Sequence, residues 1–197
     1  MGASLSWVAV RGKSRDAILE QLRLVGTGQK EEIPESPIAG AELRDGWFLV
    51  VANNFDFAEQ QPLAQLSAAG ELVTCAVEEH VMVSSASAWR DGRQVWSVLH
   101  DSQVARCHLA TEGELPPEFP VIRDELLASQ EADGGDASDV DFVFDVPVNV
   151  ARAMTGYRYD GCTGDDGTAS FERLEHPGVT AGIMGLLRRR RQDRRST

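Results

Sequence analysis

Apolar positions recur with period two over much of the first hundred residues, most regularly from Val81 to His100 (VMVSSASAWR-DG-RQVWSVLH). Asp91-Gly92 divides this stretch, and that dipeptide tolerates the positive φ angles of a two-residue hairpin turn. The turn sets a register: Arg90 faces Arg93, Trp89 faces Gln94, Ser87 faces Trp96, Ser85 faces Val98 and Val83 faces His100. Alternation then gathers Val83, Ser85, Ser87, Trp89, Gln94, Trp96, Val98 and His100 on one side of the hairpin. Met82, Ser84, Ala86, Ala88, Val95, Ser97 and Leu99 share the other side, which is small and aliphatic, as a helix-covered surface would be. Two indoles, small hydroxyls and one imidazole make the first side the candidate binding surface.

The remaining pattern fills in a mixed fold. Leu5 to Val10 is an apolar β-run, and Ser14 to Val25 is a helix. Ser14 is its N-cap, Gly26 follows its end, and Ile18, Leu19, Leu22 and Val25 form its buried stripe. Gly26 to Gly40, with Pro34 and Pro37, reads as a loop. Ala41 to Arg44 and Trp47 to Ala52 flank a second Asp-Gly turn at Asp45-Gly46, which sets Leu43 opposite Phe48 and Ala41 opposite Val50. Trp47 to Val51 is apolar on both faces, as in a central strand. Pro62 to Ala69 reads as a short helix, and Leu72 to Val77 as a strand.

The second half is less regular. Ser102 to Leu109 is expected to extend the sheet, and a helix is expected to begin after Pro120. Ala132 to Asp139 is an acidic, flexible loop, Asp141 to Asp145 a strand, and Pro147 to Thr155 a helix ended by Gly156. Hairpins imply antiparallel pairing, so the expected fold is α+β: an antiparallel sheet with helices packed on it, in one domain over residues 1–178. An apolar helix at 179–187 leads into an arginine-rich tail at 188–197.

Charge changes the picture next. The chain of 197 residues carries a net charge of −12, yet residues 188–197 hold six Arg and one Asp. Residues 1–187 therefore carry the whole of that −12 and a further −5. Such a body repels phosphate backbones and suits a basic protein partner rather than nucleic acid, while the tail (188–195) suits weak anionic contacts. No apolar run approaches the roughly 20 residues of a bilayer span. Three separated cysteines and no leader point to reduced thiols in a cytoplasmic setting, and no cofactor motif is present.

Chemistry adds little. Arg11-Gly12-Lys13-Ser14 ends like a phosphate-binding loop, but Trp7 stands where its first glycine belongs. No zinc spacing and no nucleophile elbow occurs, and the Asp133–Asp141 and Asp160–Asp166 clusters lack the spacing of a calcium loop. Cys107 and His108, being adjacent on a strand, point apart. Glu78-Glu79-His80, at a corner between strands, offers a general base with an orienting partner. The sequence thus favours a non-enzymatic binding or regulatory module with an acidic surface. Its rival is a small-molecule site or enzyme built on Trp89, Trp96 and His100, or on Glu79-His80.

Overall fold

The computed structural model describes residues 2–161 and 170–178. Within these, β1 (Ser4–Arg11), α1 (Arg15–Leu22), β2 (Val25–Glu31), β3 (Ile38–Glu42), β4 (Trp47–Ala52), α2 (Leu63–Leu66) and β5 (Glu71–Glu78) come first. They are followed by β6 (Val83–Arg90), β7 (Arg93–Asp101), β8 (Ala110–Gly113), α3 (Phe119–Ala132), α4 (Asp145–Thr155) and β9 (Phe171–Glu175). The strands form one antiparallel sheet in the order β2-β9-β3-β4-β1-β5-β6-β7-β8. The architecture is α+β with the sheet dominant. The apolar helix expected at 179–187, the arginine tail, Cys162, Asp165 and Asp166 lie outside the described residues.

Local chemistry explains the helix ends. The Ser14 hydroxyl accepts from the Ala17 N–H at 3.3 Å, capping α1. Arg23, with φ of 54°, stops α1 three residues short of the expected Val25. Gly156 (φ 76°) closes α4 in the left-handed conformation. Each face of the sheet has its own core. One gathers Trp7, Trp47, Leu49, Cys75, Trp96 and Val98 beneath α4, and the other gathers Val8, Val10, Phe48, Val50 and Leu72 beneath α1 and α2. Strand β4 is buried at all six positions because it lies between β3 and β1 with helices on both sides.

Three expectations are corrected. The presumed loop 26–40 contains β2, which is exposed along almost its whole length and so shows no apolar alternation; its long-range partner β9 holds it. Residues 102–109 do not extend the sheet, which continues instead at Ala110–Gly113. Asp141 to Asp145 is a turn, not a strand, since the Asp141 carboxylate accepts from the Phe144 N–H at 3.1 Å and starts α4.

Both turn registers shift as well. At the first, Glu42 pairs with Phe48 and Ala41 with Leu49, because residues 44–46 form a longer turn and the Leu43 N–H reaches the Trp47 carbonyl. At the second, Arg90 pairs with Arg93 and Trp89 with Gln94, and then Val95 bulges out. Beyond that bulge Ala88 faces Trp96, Ser87 faces Ser97, Ser85 faces Leu99 and Ser84 faces His100. An extra residue flips every later side chain to the opposite face. Deleting Val95 is therefore expected to leave Trp96, Val98 and His100 on their present side and to cost only about 1–2 kcal/mol, measured by thermal unfolding.

Candidate functional site

The bulge separates residues that a regular hairpin would have grouped. Trp96 (3% exposed), Val98 and His100 (0%) join Ala86 and Ala88 on the side that α4 covers. Trp89, Ser87 and Ser85 stay on the opposite side. Trp96 and His100 are thus core residues and cannot wall a groove with Trp89. This corrects the expectation of one shared aromatic face.

The opposite side changes character as the sheet is crossed. One row of paired residues runs Val50, Val8, Thr74, Ser87, Ser97, Glu112, and the next runs Ala52, Ser6, Ala76, Ser85, Leu99, Ala110. Helices α1 and α2 cover the apolar half of these rows. Beyond β5 the hydroxyls begin, and there a groove of ≈ 700 Å³ opens. Its floor carries Thr74, Ser85, Ser87, Trp89, Gln94 and Ser97, and its wall carries Phe55, Glu59, Gln61 and Leu63 from the segment that leads into α2. None of its lining residues is Lys, Arg or His.

Part of this floor is pre-arranged. Trp89 donates its indole N–H to the Ser87 hydroxyl at 3.1 Å, and the Thr74 and Ser87 hydroxyls are hydrogen-bonded at 2.7 Å. The ring of Trp89 packs along its apolar edge on the core beneath α2. Among the described residues, the side chains of Ser85, Ser97, Gln94 and Glu59 have no protein hydrogen-bond partner. Hydroxyls, an amide and a carboxylate are therefore free to meet a ligand beside the Trp89 ring.

His100 is held by two acceptors. Its Nε2 lies 3.0 Å from Asp141 Oδ2 and its Nδ1 lies 2.8 Å from the His108 carbonyl. Both ring nitrogens are thus engaged, which fixes the imidazole between a buried carboxylate and a backbone carbonyl. Arg106 adds its charge 3.6 Å from Asp141 and binds the Ser138 carbonyl at 2.8 Å. Burial pushes the Asp141 carboxyl up, but the hydrogen bond and charge of His100, the Phe144 N–H and Arg106 outweigh it. The group sits below the usual carboxylate range. With both ring nitrogens engaged and the ring buried, His100 is not open to a substrate. The cluster ties β7 to the connection between α3 and α4.

The other corner splits into two separate contacts. Glu79 accepts from the Ala3 N–H at 2.7 Å and from the Tyr159 hydroxyl at 2.6 Å. His80 is exposed and its Nδ1 lies 2.5 Å from Glu78, not Glu79. Of the three residues at this corner, Glu78 is thus the carboxylate beside His80, while Glu79 faces Ala3 and Tyr159. Cys107 is an exposed residue, yet partial desolvation of its thiol and the nearby Asp136 and Asp141 charges raise its pKa, which disfavours the thiolate. Among the described residues no group of three His, Cys, Asp or Glu side chains converges as a metal site, and no helix is long and apolar enough to cross a membrane.

Of the residues singled out in the sequence, the structure brings Trp89, Ser85 and Ser87 together in the groove. It adds Thr74, Ser97, Phe55 and Glu59. Thr74 was legible as the polar member of an otherwise apolar strand, Leu72 to Val77, whereas Ser97 was hidden by the bulge. No family model, curated protein or solved structure matches the chain.

Proposed function

We propose that the protein is a non-enzymatic binding module whose groove over β5, β6 and β7 receives a cationic side chain of a basic protein partner. The observation that carries this reading is the lining itself: Trp89 and Phe55 offer ring faces, Glu59 a carboxylate, the floor hydroxyls, and no cation. An ammonium or guanidinium over an indole gains about 0.5–2 kcal/mol, more as water is excluded. The excess of acidic residues over the body would steer such a partner and make its capture salt-sensitive.

Titration with a lysine- and arginine-rich peptide tests the reading. Binding is expected to weaken as salt rises, and Trp89→Ala and Glu59→Gln are each expected to weaken it roughly fivefold to tenfold at low salt. Binding that ignores both substitutions, or no binding at low salt, would overturn the proposal. A second reading, a site for a small neutral metabolite, is favoured by the groove volume, which falls within the usual range of about 300–1,000 Å³ for ligand pockets. A salt-independent thermal shift with an uncharged metabolite, lost in Trp89→Ala, would favour it over the first.

A further inference from the structure

The sheet ends beside the groove on strand β8. All four of its residues are exposed, and among the described residues nothing pairs with its outer edge. Such an edge presents unpaired N–H and C=O groups that can accept another strand. Its side chains are sorted by face. Glu112 stands opposite Ser97 on the groove side, whereas Thr111 stands opposite Val98 on the other. Glu114 follows directly, and Glu112 has no ion-pair partner among the described residues.

This edge discriminates between partners. A second copy of β8 would bring Glu112 and Glu114 against their own kind, a repulsion that blunts self-association. An extended segment carrying Lys or Arg at every second position would meet Glu112 with its cations while its backbone completed the ladder. The opposite edge, β2, has an irregular register between Gly26 and Lys30 and its own lysine at position 30, so it lacks this complementarity.

We propose that β8 is a docking edge for an extended basic segment of a partner protein, which adds to the sheet as a tenth strand with its cations on the groove side. The proposal rests on the groove reading above, for it names how the same basic partner is held. A cation beside β8 lies over Ala110, Glu112 and Leu99, and continuation of the segment across the face leads to Trp89.

The probe is a capped octapeptide of alternating Lys and Thr, compared with two versions N-methylated on alternate residues, one for each backbone edge. The unmodified peptide is expected to bind and to slow hydrogen exchange of the Ala110–Gly113 amides. One N-methylated version is expected to lose roughly tenfold or more in affinity while the other binds normally. Glu112→Lys is expected to weaken the unmodified peptide in the same measure. Equal binding of all three peptides, with Trp89→Ala weakening each, would overturn strand addition and leave the groove reading standing. Loss with one N-methylated version but no effect of Trp89→Ala would do the reverse. Absence of binding by any of the three would overturn both.

Discussion

Trp96→Ala is expected to lower stability by about 3–5 kcal/mol while Trp89→Ala, one strand away, lowers it far less. Both indoles sit on the same hairpin, and the difference comes from the bulge at Val95. Trp96 is 3% exposed and packs in the core beneath α4 with Val98, Ala86 and Ala88, so its removal leaves a large cavity that this tightly filled layer cannot close. Trp89 is half-buried, with one edge on the opposite core and the rest open to the groove. For a chain of this length the Trp96 substitution corresponds to a drop in Tm of about 6–20 °C. Thermal unfolding of the two variants side by side checks the assignment. If Trp89→Ala melted first, the two faces would be the wrong way round.

The same hairpin shows where sequence reading stops. Its turn and its first two pairs follow from Asp91-Gly92, since positive φ at both residues (48° and 79°) is what that dipeptide accommodates. Nothing in Gln94-Val95-Trp96 marks a bulge, because Val95 suits a regular strand equally well. What decides is tertiary. His100 finds two buried acceptors on the side that α4 covers, and Trp96 finds a core there, so the chain accepts one unpaired residue to put both in place. The acceptors lie 41 residues away, at Asp141, and across a loop, at His108, where no local pattern announces them.

Strand β2 was illegible for the opposite reason. Its residues are solvent-facing, so no burial wrote a pattern into them, and the partner that pairs with it, β9, lies more than 140 positions on. Where burial is two-sided and local, as at Trp47 to Ala52, composition alone was enough. The groove was legible in its Trp89, Ser85 and Ser87 members because they precede the bulge, and illegible at Ser97 because it follows.

Asp141→Ala is expected to destabilise the fold by about 3–5 kcal/mol, because it removes the buried carboxylate that His100 and Arg106 both face. The Asp141 side chain is 1% exposed and that of His100 0%, so water cannot replace either partner. Removing both partners at once has a different cost. His100→Met with Asp141→Leu keeps the volume apolar and is expected to recover most of the loss, since a filled core competes well with a buried ion pair. A double-mutant cycle by chemical denaturation separates the pair from the packing. Acid supplies the independent check. The folded-state pKa of Asp141 lies below its unfolded value, so the native state binds this proton more weakly than the unfolded chain. Its contribution is complete above the ordinary carboxylate range and is lost as pH falls below about 4. Asp141→Asn is therefore expected to be less stable than the parent at pH 7, with the gap narrowing as pH falls through that range. A gap that stayed constant on acidification would mean that the Asp141 carboxylate is not stabilised in its ionised form by this cluster.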